Sequence, residues 1–239
     1  VVHTLAFRIV NVFAQTPLGG NPLCVFEDAS ELDTATMQAL ALQFNLSETT
    51  FILPAEHPRA HRRVRIFTPM FEMPFAGHPT LGTAHVVRAL TDCGDRVGLQ
   101  MQAGFVPVTA QGDCWTLQAG APRWHAGACT RGQIAQMLGI AETDVKEYPL
   151  WVDTGSEQWV IPLASPEAVE RCRPNAELLA RCAVGVKRRG LAYVWARVDA
   201  RRIRVRFFLE RHGGVMEDPG TGSACANLGG WLIARGAEL

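Results

Sequence analysis

The chain has no surplus of charge to offer a polyanion. Lys and Arg number 23, and Asp and Glu number 23. A nucleic-acid binder carries a basic excess, because neutralising phosphates drives its affinity, so no nucleic-acid partner is expected. Arg62, Arg63 and Arg65, and the alternating Arg202, Arg204 and Arg206, read instead as solvent faces of strands. No apolar run approaches the roughly 18 residues that a membrane span needs, so no membrane partner is expected. Val1-Val2-His3-Thr4-Leu5 lacks a basic segment leading into an apolar stretch and a cleavage site. The expected location is therefore the cytoplasm. There is no Cys-x-x-Cys, and seven cysteines are scattered without framework spacing. That pattern suits reduced, mostly buried thiols and opposes both structural zinc and thioredoxin-like redox chemistry. Gly220-Thr221-Gly222 is not followed by Lys, and no Gly-x-Gly-x-x-Gly is completed, so nucleotide binding lacks support. Of His57, His61, His78 and His85, the first two lie in a polar loop stretch and are accompanied by no carboxylate or third His at ligand spacing. Neither a metal nor an organic cofactor is expected.

What the chain does have is core material. Of its 239 residues, 48% are hydrophobic, enough for one large domain or two ordinary ones. Leu5, Phe7 and Ile9 alternate with more polar positions, Gly19-Gly20-Asn21-Pro22 marks a turn, and Pro22 to Phe26 reads as a second strand. A helix follows, with Asp33 or Thr34 as cap, Met37, Leu40, Ala41 and Phe44 at helical spacing, and Asn45 as its stop. Glu48 to Leu53, Val64 to Phe67, Leu191 to Trp195 and Ile203 to Leu209 are strands. Ser165-Pro166-Glu167 starts a helix, with Ser as cap and Pro at the first position, which Pro174 interrupts.

Two stretches differ in kind. A loop from Met70 to Thr80 runs into Leu81 to Leu90, apolar on nearly every side; a second loop, Met216 to Ser223, runs into Ala224 to Ile233 in the same way. A helix apolar all round must be covered on every side. The two loops overlay weakly, Met73 on Met216, Gly77 on Gly220 and Thr80 on Ser223, once in each half of the chain. The expected fold is α+β: two pseudo-symmetric domains, residues 1–119 and 120–239, each a curled mixed sheet around a buried central helix, at Pro79 to Leu90 and Gly222 to Ala234. The first backbone N–H groups of a helix lack internal partners and carry the positive end of its dipole. Two such ends facing each other would hold a carboxylate without a basic side chain. His78 and Asp218 sit inside these loops, and Glu48 lies at a helix-to-strand junction in Asn45-Leu46-Ser47-Glu48-Thr49-Thr50-Phe51.

That heptapeptide, the segment Phe67 to His85 and the segment Met216 to Leu232 together resemble the phenazine-biosynthesis PhzF-like family of isomerases. The match runs in order over most of the chain, from the Asn11-Val12-Phe13 opening onward. The resemblance implies the diaminopimelate-epimerase fold, with the active site in the cleft between two similar domains. It implies a homodimer, and closing strands beyond the point where this chain stops at Leu239. It also implies a cofactor-independent isomerase in which one carboxylate moves a proton within an unsaturated cyclic amino acid. By motif position the shuttling carboxylate is Glu48. His78 and Asp218 would orient the substrate, and Gly77 with Gly220, Thr221, Gly222 and Ser223 would donate to its carboxylate. Desolvation near a buried cleft would raise the Glu48 pKa toward neutrality. The epimerases' paired thiols fall at Ala76 and Pro219, which cannot exchange protons, and Cys225 reads as a core cysteine. A non-catalytic binding protein of the same fold is the alternative.

Overall fold

The structure is a computed structural model that describes residues 4–146, 148–183, 185, 190–211 and 213–236. The chain forms two compact units, Val1–Gln118 and Ala119–Leu239.

In the first unit, β1 (Phe7–Val12) and β2 (Asn21–Phe26) form an antiparallel hairpin. Its turn needs Gly20, whose φ is +74° and where a Cβ would collide with the Val12 carbonyl oxygen. From β2 the chain crosses through α1 (Thr34–Phe44) to β3 (Thr49–Leu53), which runs parallel to β2. α1 starts where the Asp33 side chain accepts the Thr36 N–H at 2.7 Å, and stops at Asn45 in the left-handed conformation, φ 51°. β4 (Arg62–Phe67) pairs antiparallel with β3, and the two-residue β5 (Glu72–Met73) folds back on β4. The central helix α2 (Gly77–Leu90) follows. β6 (Arg96–Met101) then pairs parallel with β4, and β7 (Gly104–Gln111) and β8 (Cys114–Leu117) complete the sheet.

The sheet thus separates two apolar layers. Ala84, Val86 and Val87 of α2 pack with Leu23, Ile66, Leu99 and Val108 on one face. Met37 and Ala41 of α1 pack with Phe26, Phe51 and Phe67 on the other. Val86 and Val87 are fully buried, each worth about 1.5–3 kcal/mol of transfer free energy. α2 is covered on several sides because β8 also reaches it, Trp115 lying edge-on to His85 and under Arg88.

The second unit repeats the plan. β9 (Arg123–Ala126) and α3 (Arg131–Leu138) come first. The hairpin of β10 (Leu150–Asp153) and β11 (Glu157–Pro162) follows. α4 (Pro166–Arg171) opens with Ser165 as cap and Pro166 in its first turn; α5 (Ala176–Cys182) begins just past Pro174. β12 (Leu191–Arg197) runs parallel to β11, then β13 (Ile203–Arg211) and β14 (Gly214–Asp218) meander antiparallel into α6 (Gly222–Ala234). The sheet order is β14-β13-β12-β11-β10-β9. Hairpin, helical crossover to a parallel strand, meander and central helix therefore occur twice in the same order, the α+β class read from the sequence.

α6 departs from the expected burial on all faces. Ala224, Asn227, Leu228 and Gly230 are buried, but Ile233 is 47% exposed and Cys225 is exposed too, not a core cysteine. An apolar composition reports that a helix can be buried, not how many elements cover it. α6 rests chiefly on β9, β10 and β11, with Trp231 edge-on to Trp195 of β12. The arginines also differ from plain solvent faces. Arg63, Arg65, Arg202, Arg204 and Arg206 each pair with a carboxylate, and Arg65 and Arg206 are part-buried.

Candidate active site

α1 ends at Asn45, the chain turns through Leu46 and Ser47, and Glu48 arrives immediately before β3. His78 is the second residue of α2. The two meet: His78 Nδ1 lies 3.2 Å from Glu48 Oε2, with the ring 6% and the carboxyl 17% exposed. What holds them is a buried hydroxyl pair one step inside. Thr50 Oγ1 and Thr83 Oγ1 are 2.8 Å apart and fully buried, tying β3 to α2. Gly82 lets the helix approach the β1–β2 hairpin, since a Cβ there would meet Leu23 and Val12 side chains at 2.7 and 2.8 Å. Thr80 Oγ1 closes the first turn by donating to the Ala76 carbonyl at 2.6 Å.

Burial pushes the His78 pKa down to about 4, against a smaller opposing pull from the Pro22 backbone. Nε2 is buried and makes no hydrogen bond within ordinary distance and angle limits. The imidazole is therefore neutral at pH 7. A neutral ring can donate from Nδ1 to a Glu48 carboxylate, or accept from the protonated acid, without becoming charged. This is an arrangement that steadies a carboxyl group in both of its protonation states. The N-cap of α2 is Ala76, which has no side chain to cap the first turn. The donors at Gly77 and His78 are left to other partners.

In the second unit Asp218 ends β14, opposite Phe207 of β13. The Thr221 hydroxyl donates to the Asp218 carboxylate, so this N-cap residue also does not cap α6 with its side chain. Gly222 opens the helix. Ser223 Oγ accepts from Gln158 Nε2 at 3.0 Å. Below it, Asn227 is fully buried: its amide donates to Gln158 and to the Ser156 carbonyl, and its Oδ1 accepts from the Thr154 N–H and hydroxyl at 2.9 and 2.7 Å. Gly220, Thr221, Gly222 and Ser223 are thus one loop and first turn anchored to β11.

The strand registers correct the overlay of the two loops. Phe67 faces Glu72 and Ile66 faces Met73 in one unit; Phe208 faces Glu217 and Phe207 faces Asp218 in the other. Glu72 therefore matches Glu217, Met73 matches Asp218, and the helices begin at the matched Gly77 and Gly222. Gly77 on Gly220 was two residues out. Met73 and Met216 stand two residues out of register, since side-chain identity in a strand does not fix pairing. The signal that finds the right match is a shared Glu-x-Pro-x-x-Gly, in Glu72 to Gly77 and Glu217 to Gly222. Thr50, Thr83, Gln158 and Asn227 carried no such signal. Among the described residues no three His, Cys, Asp or Glu side chains cluster as metal ligands. Nor is any helix among them long and apolar enough to cross a membrane.

The family model for phenazine biosynthesis-like proteins matches residues 10–238. The chain belongs to this family. It is 40% identical over 237 residues to an uncharacterized isomerase of Pasteurella multocida, covering 97% of this chain and 78% of the relative. It is 33% identical over 236 residues to the trans-2,3-dihydro-3-hydroxyanthranilate isomerase of Pseudomonas fluorescens, covering 96% and 80%. Among solved structures, a Bacillus anthracis phenazine biosynthesis protein of the PhzF family superposes with a TM-score of 0.86 at 25% identity, over 95% of this chain and 79% of that one. The chain is an isomerase with the PhzF fold.

Proposed function

We propose that this isomerase moves a proton between two carbons of a small, cyclic, unsaturated amino acid, with Glu48 as the group that takes the proton and returns it. The observation that carries this reading is the 3.2 Å contact between Glu48 and a buried histidine held neutral. A carboxylate that removes a carbon-bound proton must then hold it as an acid until it is redelivered. His78 can hydrogen-bond to either form and so keeps the carboxyl group aimed throughout the cycle. The proton leaves one carbon, the double bond shifts, and the same proton or its solvent replacement arrives at another carbon. No oxidant or reductant enters the balance. Substrate carboxylate would be met by backbone donors at the uncapped start of α2, at Gly77 and His78. The Gly220, Thr221, Gly222 and Ser223 turn and Asp218 are the corresponding candidates of the second unit. The Pseudomonas fluorescens relative, named for trans-2,3-dihydro-3-hydroxyanthranilate, supplies the first substrate to try.

The test is uptake of solvent deuterium into carbon positions of trans-2,3-dihydro-3-hydroxyanthranilate, followed beside a binding titration. Glu48→Gln keeps size and hydrogen bonding but cannot carry the proton. Its turnover should fall by about 10²-fold or more, with little change in affinity. Asp218→Asn measures the second unit's share and should disturb binding as well as rate. Exchange at the parental rate in Glu48→Gln would assign the proton to another group.

A further inference from the structure

The two units share a device that neither the loops nor the helices alone reveal. In the first, Arg65 of β4 grips Glu72 of β5 with two parallel hydrogen bonds, Nε to Oε1 at 2.7 Å and an η nitrogen to Oε2 at 2.6 Å. In the second, Arg206 of β13 grips Glu217 of β14 in the same way, at 2.8 and 2.7 Å. Each guanidinium lies over the ring of the phenylalanine two residues on, Phe67 at 5.1 Å and Phe208 at 4.6 Å. Each of those phenylalanines is buried and stands opposite the gripped glutamate. The remaining guanidinium nitrogen reaches the helix of the crossover. Arg65 donates to Thr34 Oγ1 in the first turn of α1 at 3.0 Å. Arg206 donates to the carbonyls of Val169, Glu170 and Cys172 at the end of α4, at 3.2, 3.2 and 2.9 Å.

We propose that Arg65 and Arg206 are positioning residues for the reaction, each fork fixing the strand end from which the loop into the central helix departs. From Glu72 to the helix start at Gly77, and from Glu217 to that at Gly222, the chain runs the same five-residue distance through a proline. Neither N-cap residue makes a side-chain capping bond, and in the second unit the far end of the loop is tied instead by Ser223 to Gln158. β5 is only two residues long, too short to hold a loop by ladder bonds alone. A bidentate Arg–carboxylate pair supplies a fixed angle as well as attraction. Both arginines are part-buried, and the recurrence of the fork at the same strand offset in both units points to placement. Asp218 is next in chain to Glu217, and His78 is six residues beyond Glu72. The proposal rests on the assignment of Asp218 and His78 to the reaction.

Arg206→Lys keeps the charge and loses the fork. Amide hydrogen exchange should quicken by about tenfold or more in residues 218–223 and stay unchanged in β11 and β12; Arg65→Lys should do the same in residues 73–78 and leave 218–223 alone. Turnover of trans-2,3-dihydro-3-hydroxyanthranilate by Arg206→Lys should fall by about tenfold, at temperatures where circular dichroism shows the variant fully folded. Because the fork acts through Asp218, the double variant Arg206→Lys/Asp218→Asn should be no slower than Asp218→Asn alone, within about twofold. Glu217→Gln carries the same tests should Arg206→Lys not fold. Unchanged exchange in 218–223, a variant altered in melting temperature but not in turnover, or losses that simply add would overturn the proposal. Parental turnover in Asp218→Asn would instead overturn the assignment of Asp218, and the exchange measurement would still decide whether the forks anchor the loops.

Discussion

The two units solve one packing problem with opposite chemistry. Both must seat a central helix on the strands of a hairpin and its parallel neighbour. In the first, α2 comes down through Gly82 onto Val10, Val12 and Leu23, an apolar contact made close by the missing side chain. The matched position in α6 is Asn227, which keeps its distance and spends all its hydrogen bonds on Thr154, Ser156 and Gln158. The polar solution continues upward to Ser223, so in the second unit the seat of the helix and its first turn are one network. In the first unit the seat at Gly82 is apolar, and Glu48 and His78 lie above the Thr50–Thr83 hydroxyl pair. Shared topology therefore does not imply shared energetics. The unit with the apolar seat holds the buried titratable pair; the unit with the polar seat holds its carboxylate on a hydroxyl.

That contrast predicts unequal responses. The largest should come from Asn227→Ala, which leaves the Thr154 N–H, the Ser156 carbonyl and the Gln158 amide short of partners. Unsatisfied buried groups cost about 1–3 kcal/mol each, so urea unfolding should show a loss of about 3 kcal/mol or more. A loss under 1 kcal/mol would mean that the network is replaceable and the contrast superficial. Next is acid sensitivity. His78 is about 4 folded against 6.5 in its ordinary range, so between those values the unfolded chain holds more protons. Stability should decline as pH falls through that window, by up to roughly 3 kcal/mol. Unfolding curves at pH 7, 5.5 and 4.5 should show this steeper decline in the parent than in His78→Gln; equal slopes would place the sensitivity elsewhere.

The apolar seat is probed by Gly82→Val, which forces branched carbons against Val12 and Leu23. Overpacking of this kind costs about 1–3 kcal/mol, and the resulting shift of α2 should lower turnover along with stability. Retained activity would separate the helix seat from the site. The smallest effect is expected of Thr83→Val, which removes one hydroxyl and leaves Thr50 a long contact of 3.5 Å to the Cys24 carbonyl. About 1 kcal/mol is the usual worth of such a bond. A turnover loss larger than the stability loss would show that the β3–α2 tie chiefly serves to aim Glu48 at His78.

Much of this molecule can be read along the chain because its causes are local. Asp33 and Asn45 bound α1, and Ser165 with Pro166 starts α4, since caps act on neighbouring backbone groups. Apolar runs announced two central helices, and three ordered motifs identified the family and the candidates Glu48, His78 and Asp218. The pairing of Glu48 with His78 spans the three strands β3, β4 and β5, and only the folded sheet brings them to 3.2 Å. The neutral state of His78 is likewise a product of burial, which no spacing encodes. Strand register decided which residues of the two loops correspond, moving the match by two positions and bringing the arginine forks into view. Coverage decided that α2 lies deep while α6 leaves Cys225 and Ile233 exposed. Local propensity depends on neighbours within a turn or two; burial, register and side-chain pairing depend on which distant segments arrive, and that is settled only when the chain has closed on itself.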